Sequence, residues 1–537
     1  MRKFKPGVSF GDFVVTDIKE SKSRTCLPAG REQVVDYRRG WVIWLIILAA
    51  MGGILARLGA LQLISGGKYR ILADENRIKK IRLVAERGKI LDRNGQDLRS
   101  WGEAAAHVVG YVGEVNEQEV GLLKEAGQKY ELGSRIGRTG MEEQYEERLR
   151  GRDGGRLVEV DPGQKIVREL GHQEAEAGTD ITLTLDAGLQ QTAFVALGGK
   201  RGAVVVSDPK NGEVLALVSS PAFNPRQVTA TSEFFNRGIG GVYPPGSVFK
   251  MVTAAAALES GKVKADFTYK DTGSINVGRF AYTNWYFTQY GRTEGVVGWE
   301  KAIARSVDTF FYKIGELTGA ETMAAWAKEF GLGVKTGIDL PGEVAGLVPT
   351  PDWKWETKKE KWFLGNTYQM AIGQSDLLVT PLQVNVMTNV IAAGGEKCGP
   401  HLLKSQIPNP KSQINSNVSN SQCTKIDINP DILDIVKKGM IGACSAGGTA
   451  FPLFGFEPQV ACKTGTAEYV RPDGKIGTHA WLTAFAPAED PAISVTVLVE
   501  GGGEGSRVAA PIARKILAKY FGVEDKYNYA AVEGVGE

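Results

Sequence analysis

Three short strings carry side chains suited to acyl transfer without histidine: Ser247-Val-Phe-Lys250, Ser306-Val-Asp308 and Lys463-Thr-Gly-Thr466. They supply a hydroxyl nucleophile, a lysine to take its proton, a polar relay and a cation to hold a carboxylate. Each string has a decoy, so context must choose between copies. Ser207-Asp-Pro-Lys210 repeats the Ser-x-x-Lys spacing, but Pro209 stops its two ends from stacking on one helical turn. Ser247 instead follows Pro244-Pro-Gly246 and opens a stretch, Val248–Leu258, too apolar all round to be a surface helix. That predicts a nucleophile at a buried helix N-terminus, where free N–H groups favour a negative oxygen. Lys250 lies one turn on, desolvated, with a lowered pKa that suits a base. A capping serine beside a snorkelling lysine is the structural alternative.

Ser274-Ile-Asn276 rivals Ser306-Val-Asp308, but it lies in a polar, aromatic stretch of strand and loop. Ser306 falls between the helical patterns Val297–Arg305 and Thr309–Leu317, a corner that can aim a hydroxyl into a cleft. Lys335-Thr-Gly337 sits in a glycine-rich loop, whereas Lys463-Thr-Gly465 lies in a strand pattern. On an edge strand Lys463 can hold a carboxylate by charge-assisted hydrogen bonds, and Gly465 lets a substrate backbone approach closely.

The elements that must position these residues read as an α+β domain. Asp180–Leu185 alternates as a strand and Gly188–Leu197 reads as a helix. Ala203–Val206 and Glu213–Ser219 form a hairpin pattern around Asp208–Gly212. Ala492–Val499 is a further strand and Ala509–Tyr520 an amphipathic helix, so the sheet should join the two ends of the domain. Glu142–Arg150 reads as a solvated helix with surface charges. Lys404–Asn429, rich in Asn, Ser, Gln and Pro, reads as a flexible surface insertion.

The 537 residues suffice for two or three domains, and a net charge of +3 gives no case for nucleic acid. From Trp41 to Ile64 about 24 residues are apolar or small except near Arg57, and roughly 20 suffice to cross a bilayer. Arg57 lies past the middle, where it can snorkel. The charged leader of about 40 residues and the length of the run favour an uncleaved anchor over a signal peptide. Basic residues flank both ends, so charge does not decide orientation. The five cysteines have no metal-type spacing, and four histidines do not supply a zinc site. Cys398 and Cys423 flank one loop and can pair in an oxidising compartment, but free, partly buried thiols are the favoured reading.

Beyond the three strings, the chain carries Arg87-Gly88 with Asp92-Arg-Asn-Gly95, His107-Val-Val-Gly-Tyr111, Leu183-Thr-Leu-Asp186 and Gly212-Glu-Val214. Tyr243-Pro-Pro-Gly-Ser-Val-Phe-Lys250, Gly337-Ile-Asp-Leu-Pro-Gly-Glu343, Thr380-Pro-Leu-Gln383, Gly448-Thr-Ala450 and His479-Ala-Trp481 follow in order. Over residues 57–522 this resembles the class B penicillin-binding proteins, membrane-anchored transpeptidases of bacterial cell-wall synthesis. Asp308, where Asn is more general, followed by Thr309-Phe-Phe-Tyr312, resembles the elongation type, penicillin-binding protein 2.

The resemblance implies a penicillin-binding transpeptidase fold like that of β-lactamases and D,D-peptidases, an antiparallel sheet flanked by helices, over residues 176–522. A cytoplasmic tail (1–40), a transmembrane helix (41–64) and a small pedestal (65–175) precede it, and a tail (523–537) follows. It also implies that Ser247 attacks a peptidoglycan stem ending in D-Ala-D-Ala while Lys250 takes the proton. Ser306 and Lys463 relay a proton to the leaving amine, with Asp308 completing the second string. Lys463 with Thr464 or Thr466 holds the terminal carboxylate beside Gly465, and the N–H groups of Ser247 and Thr466 form the oxyanion hole. No cofactor or metal is required. β-Lactams acylate the same serine, a SEDS-family polymerase is the implied partner, and the catalytic part lies outside the inner membrane.

Two departures from the family stand out. Leu98-Arg-Ser-Trp101 runs almost directly into Gly102–Gly110 where a head subdomain is usual, so the pedestal is shortened. Ser375 follows Ala371-Ile-Gly-Gln374 where glycine is common, and it either narrows the cleft floor or is tolerated by the loop. A D,D-carboxypeptidase, a β-lactamase and a non-catalytic β-lactam sensor are the competing readings. The anchored pedestal argues against the two hydrolases. The intact strings and the small tail argue against the sensor, and residues 65–175 leave no room for a glycosyltransferase domain.

Overall fold

The computed structural model describes residues 37–128, 130–161, 163–228, 232–404 and 423–529. The greater part of the expected tail (1–40), with Cys26, most of the Lys404–Asn429 insertion and the last eight residues lie outside them. The chain forms two compact units, residues 1–80 with 157–171 and residues 81–156 with 172–537.

In the first unit, α1 (Tyr37–Gly59) continues through a π-helical turn, Ala60–Ile64. Gly40–Ile64 is thereby a 25-residue helical span, long and apolar enough to cross a bilayer. Its large side chains, Trp41, Trp44, Ile46 and Leu55 among them, lie exposed. Arg57 is its one charged residue. The second helix, α2 (Gly66–Arg77), ends at Arg77, which pairs with Glu159; Glu159 also pairs with Arg168 at 2.6 Å.

The second unit is built on a five-stranded antiparallel sheet: β1 (Gly202–Ser207), β2 (Val214–Ser220), β3 (Ala461–Val470), β4 (Ile476–Ala486) and β5 (Ile493–Val499), in the order β3-β4-β5-β1-β2. The sheet joins the two ends of the domain as the patterns predict. Its strands are Val- and Ala-rich and buried on both faces, because helices cover both. These are α3 (Ala187–Leu197), α4 (Lys250–Glu259), α5 (Asp308–Thr318), α6 (Leu364–Ala371), α7 (Pro381–Ala392), α8 (Pro430–Ala443) and α9 (Ala509–Phe521). Their ends are written locally. Asp186 caps α3 by accepting from Leu189 N–H at 2.9 Å, and Thr380 with Gln383 closes a reciprocal capping box on α7. α4 is buried from Lys250 to Leu258, as its all-round apolar sequence requires.

Residues before the sheet share its core. Ile90–Leu91 pairs in parallel with Ile181–Thr182, and Ile90, Leu98, Val108, Met141 and Leu149 pack in one cluster with Val205, Leu217, Leu382 and Leu402. Gln190 of α3 spans the junction, donating to the carbonyls of Ala104 (2.7 Å) and Leu217 (2.8 Å).

The structure corrects two expectations. Glu142–Arg150 is not one solvated helix but two short ones, Gly140–Gln144 and Glu146–Leu149. Glu142 is buried, with Arg87 at 2.5 Å from it and from Glu146. A distant arginine, invisible in the local pattern, turns those charges inward. The thiols are not free either: Cys398 pairs with Cys423, and Cys444 with Cys462. Cys398 and Cys423 meet because Glu396–Cys398 pairs antiparallel with Cys423–Lys425. Cys444 and Cys462 meet because the end of α8 returns to β3.

Candidate active site

The turn Pro244-Pro-Gly246 brings Ser247 against β3, an outer strand of the sheet. Gly246 has φ +57°, and a Cβ there would stand 2.8 Å from the carbonyl oxygen of Thr466, so this position requires glycine. Ser247 lies half-buried in a short 3-10 turn, Gly246–Phe249, that runs into α4 at Lys250. Gly465 on β3 is as confined. A Cβ there would meet the Pro245 carbonyl and Val248 at 3.1 Å. The turn that carries Ser247 and the strand therefore approach closely through two glycines.

Ser306 occupies the predicted corner, between Trp299–Ala304 and α5, and reverses the chain with φ +57°. A left-handed serine costs roughly 1–3 kcal/mol. The reversal aims both of its oxygens at Lys250, whose Nζ lies 2.8 Å from the carbonyl and 3.1 Å from Oγ. Lys250 Nζ also donates to Oδ1 of Asp308 at 2.6 Å. On the other side Lys463 Nζ donates to the same Ser306 Oγ at 2.9 Å and to the Thr464 carbonyl at 3.0 Å. One hydroxyl thus bridges two wholly buried amines.

Burial pushes both lysines down from their ordinary range. In Lys250 the charge and hydrogen bond of Asp308 oppose that shift. Lys463 hydrogen-bonds no carboxylate among the described residues and feels the charge of Lys250, so burial and that charge carry it well below its ordinary range.

The structure brings Ser247, Lys250, Ser306, Asp308, Lys463, Thr464, Gly465 and Thr466 to one place and leaves the decoys out. Ser207 is buried in β1, bonded to Asn385 and Ser494, while Lys210 pairs with Asp490 at the surface. Ser274–Val277 is a strand paired with Phe280–Thr283. The Thr336 and Gly337 N–H groups are held by Glu343. Ser375 is exposed with φ +67°, a left-handed backbone that glycine adopts without cost.

Four residues escaped sequence reasoning. Thr449 Oγ1 lies 2.8 Å from Thr464 Oγ1, adding a hydroxyl beside the strand. Trp285 N–H donates to Asp308 Oδ2 at 2.9 Å, and Asn284 Oδ1 accepts from Asp308 N–H at 3.1 Å. Asn284 is fixed in turn by buried Asp271, 3.0 Å away. Thr449 lies inside Gly448-Thr-Ala450, one of the ordered strings of the sequence; nothing local marks the other three.

A family model described as the penicillin binding protein transpeptidase domain matches residues 202–518, and one for the penicillin-binding protein dimerisation domain matches residues 99–183. The peptidoglycan D,D-transpeptidase MrdA of Acinetobacter baumannii is 36% identical over 452 residues, 78% of this chain and 64% of the relative. The chain thus spans less than two thirds of that relative's length. Penicillin-binding protein 2 of Pseudomonas aeruginosa, solved in complex with WCK 5153, superposes with a TM-score of 0.70 at 31% identity. The match covers 86% of this chain and all of that one. A chain from a solved peptidoglycan synthase complex, one that coordinates polymerization and crosslinking, gives a TM-score of 0.72 at 28% identity. That match covers 92% of this chain and all of the other. With these matches and its long apolar helix, the chain is a membrane-anchored member of the penicillin-binding protein transpeptidase family, in its penicillin-binding protein 2 branch.

Proposed function

We propose that the chain is a peptidoglycan D,D-transpeptidase of cell elongation, working through an acyl-enzyme on Ser247. Ser247 Oγ attacks the penultimate D-Ala carbonyl of a stem peptide and its proton passes to the neutral amine of Lys250. The N–H groups of Ser247 and Thr466 hold the oxyanion, a contribution of about 3 kcal/mol per donor. Collapse breaks the D-Ala–D-Ala amide, and the departing amine takes a proton through Ser306 from the two lysines. Lys463, Thr464 and Thr466 hold the terminal carboxylate. An amine of a second stem then attacks the ester, forming the cross-link and returning a proton to Ser247 Oγ. A β-lactam acylates the same oxygen and remains, because its ring opening releases no leaving group.

The single observation that carries this reading is Ser306 Oγ bridging Lys250 and Lys463 at 3.1 and 2.9 Å, a two-way proton path beside the serine turn. The anchor lies in the inner membrane with the catalytic unit outside the cytoplasm, where stem peptides are. A SEDS-family polymerase supplies the glycan strands. The likeness to a chain from a peptidoglycan synthase complex supports that partnership.

The test uses the full chain in detergent with a fluorescent penicillin. Wild type and Ser207→Ala should label, and Ser247→Ala should not; label surviving the loss of Ser247 overturns the assignment. A D-Ala-D-Ala stem supplied with an acceptor amine should give dimer. Trimmed monomer alone would make the protein a carboxypeptidase.

A further inference from the structure

Past the lysine, the edge of β3 is already occupied. In an antiparallel strand alternate residues present both N–H and C=O to one side, and Thr466 and Glu468 turn theirs away from β4. Gln374, in the turn after α6, meets both. Its Nε2 donates to the Thr466 carbonyl at 3.1 Å, and its Oε1 accepts from the Glu468 N–H at 3.1 Å. A carboxamide has the donor and acceptor of a peptide group, and this one is paired with the edge as a neighbouring strand would be.

The turn that presents it is fixed from several sides. Gly246 N–H donates to the Gly373 carbonyl at 2.8 Å, and a Cβ on Gly373 would stand 2.1 Å from the Gly246 carbonyl. The Ala371 carbonyl accepts from Thr253 of α4 at 2.8 Å, and Gln374 N–H donates to the Gln369 carbonyl at 2.9 Å. Gln374 is thus tied to the turn that carries Ser247, and it reaches across to the strand that carries Lys463. An extended peptide entering this cleft adds to the same edge by main-chain hydrogen bonds. The Thr466 carbonyl is the acceptor its amide N–H would meet.

We propose that Gln374 is a specificity-determining residue: its carboxamide holds the β3 edge as a stand-in for a peptide group, and the amide of the donor replaces it on the Thr466 carbonyl. This rests on the acyl-transfer reading of Ser247. Ligands that bring an amide N–H to that carbonyl must displace Gln374, whereas ligands without one leave it in place. The exchange also keeps the carbonyl paired when the cleft is empty, so the strand need not rearrange as the donor arrives.

The experiment compares two acylating probes on the full chain in detergent: benzylpenicillin, which carries an acylamino N–H, and a carbapenem, which has a hydroxyethyl group instead. Saturation kinetics of acylation separate binding from the chemical step. Gln374→Leu removes both hydrogen bonds, and Gln374→Glu keeps the acceptor for Glu468 N–H while losing the donor to Thr466. In both variants the ratio of penicillin to carbapenem efficiency should rise about fivefold, the worth of one net hydrogen bond, with the change in the binding constant. An unchanged ratio, including an equal loss with both probes, overturns the exchange and leaves Gln374 a structural strut. A rise in Gln374→Leu alone also overturns it, because the Thr466 bond is then not the one exchanged. Wild type that neither probe labels at Ser247 overturns the acyl-transfer reading, and the exchange with it.

Discussion

Lys250 Nζ lies 2.6 Å from Asp308 Oδ1, and the other oxygen of that carboxylate accepts from the backbone N–H of Trp285 at 2.9 Å. Asp308 is the first residue of α5, so its charge also faces a helix N-terminus. The carboxylate is anchored on one side and on the other partly offsets the burial that pushes the Lys250 amine down.

Asp308→Asn keeps the anchor and removes the charge. Burial then acts on Lys250 unopposed by that carboxylate, and its pKa falls further. A base of lower pKa stays unprotonated to lower pH. The acid limb of the penicillin acylation rate should therefore move down by about one unit or more. An acid limb that stays in place, or moves up, would show that another group controls it.

Gly246→Ala tests the approach of the serine turn to β3. Its Cβ would press to 2.8 Å on the Thr466 carbonyl at a left-handed position. The turn and strand must separate, carrying Ser247 away from the Thr466 N–H. A misplacement of this size lowers acylation by about 100-fold. The thermal midpoint, measured alongside, should fall by only a few degrees, because the sheet and α4 remain packed.

Loss of the Cys444–Cys462 bridge should destabilise the protein by about 3 kcal/mol, from the entropy of a closed segment of 18 residues. Urea unfolding of the Cys444→Ala/Cys462→Ala double variant measures it. Both cysteines are buried, whereas Cys423 is exposed. Mild reductant followed by alkylation and mass spectrometry should modify Cys398 and Cys423 first.

His107 gives the fold an acid sensitivity. Burial pushes its pKa down to about 4, although its Nε2 contact with the Glu233 carbonyl at 2.7 Å acts the other way. An unfolded chain binds this proton below its ordinary 6.5 and the folded one only near 4, so stability is fully present above 6.5 and is lost as pH falls toward 4. The shift corresponds to about 3 kcal/mol. Urea midpoints at pH 7.5 and 5 should differ for wild type and differ less for His107→Phe. An equal pH dependence in the two would assign the effect elsewhere.

The residues of the site were legible because local context marks them. Pro-Pro-Gly before an apolar run announces the start of α4, and two helical patterns meeting at Ser306 announce a corner. The hairpin of β1 and β2, α3 and α9 were legible for the same reason: periodicity and caps are local. What stayed hidden depends on pairs far apart in the chain. Glu142 reads as a surface charge until Arg87, 55 residues earlier, reaches it. Gln374 reads as an ordinary loop residue until β3, some 90 residues on, lies beside it. The Cys444–Cys462 pairing is invisible without the return of α8 to the sheet. The left-handed Ser306 breaks the preference of its residue type, and its bonds to Lys250 and Lys463, distant in sequence, go with that conformation.

Ile90, Leu98, Val108 and Met141 lie in the same cluster as Leu217 and Leu382, with Gln190 bonded to both sides. A boundary drawn between these segments from sequence similarity would pass through a single hydrophobic interior. The segments on its two sides share that cluster, so this junction should lose its structure in one cooperative event. A force applied to the segment around Val108 acts directly on the back of the sheet, with no flexible joint there to absorb it.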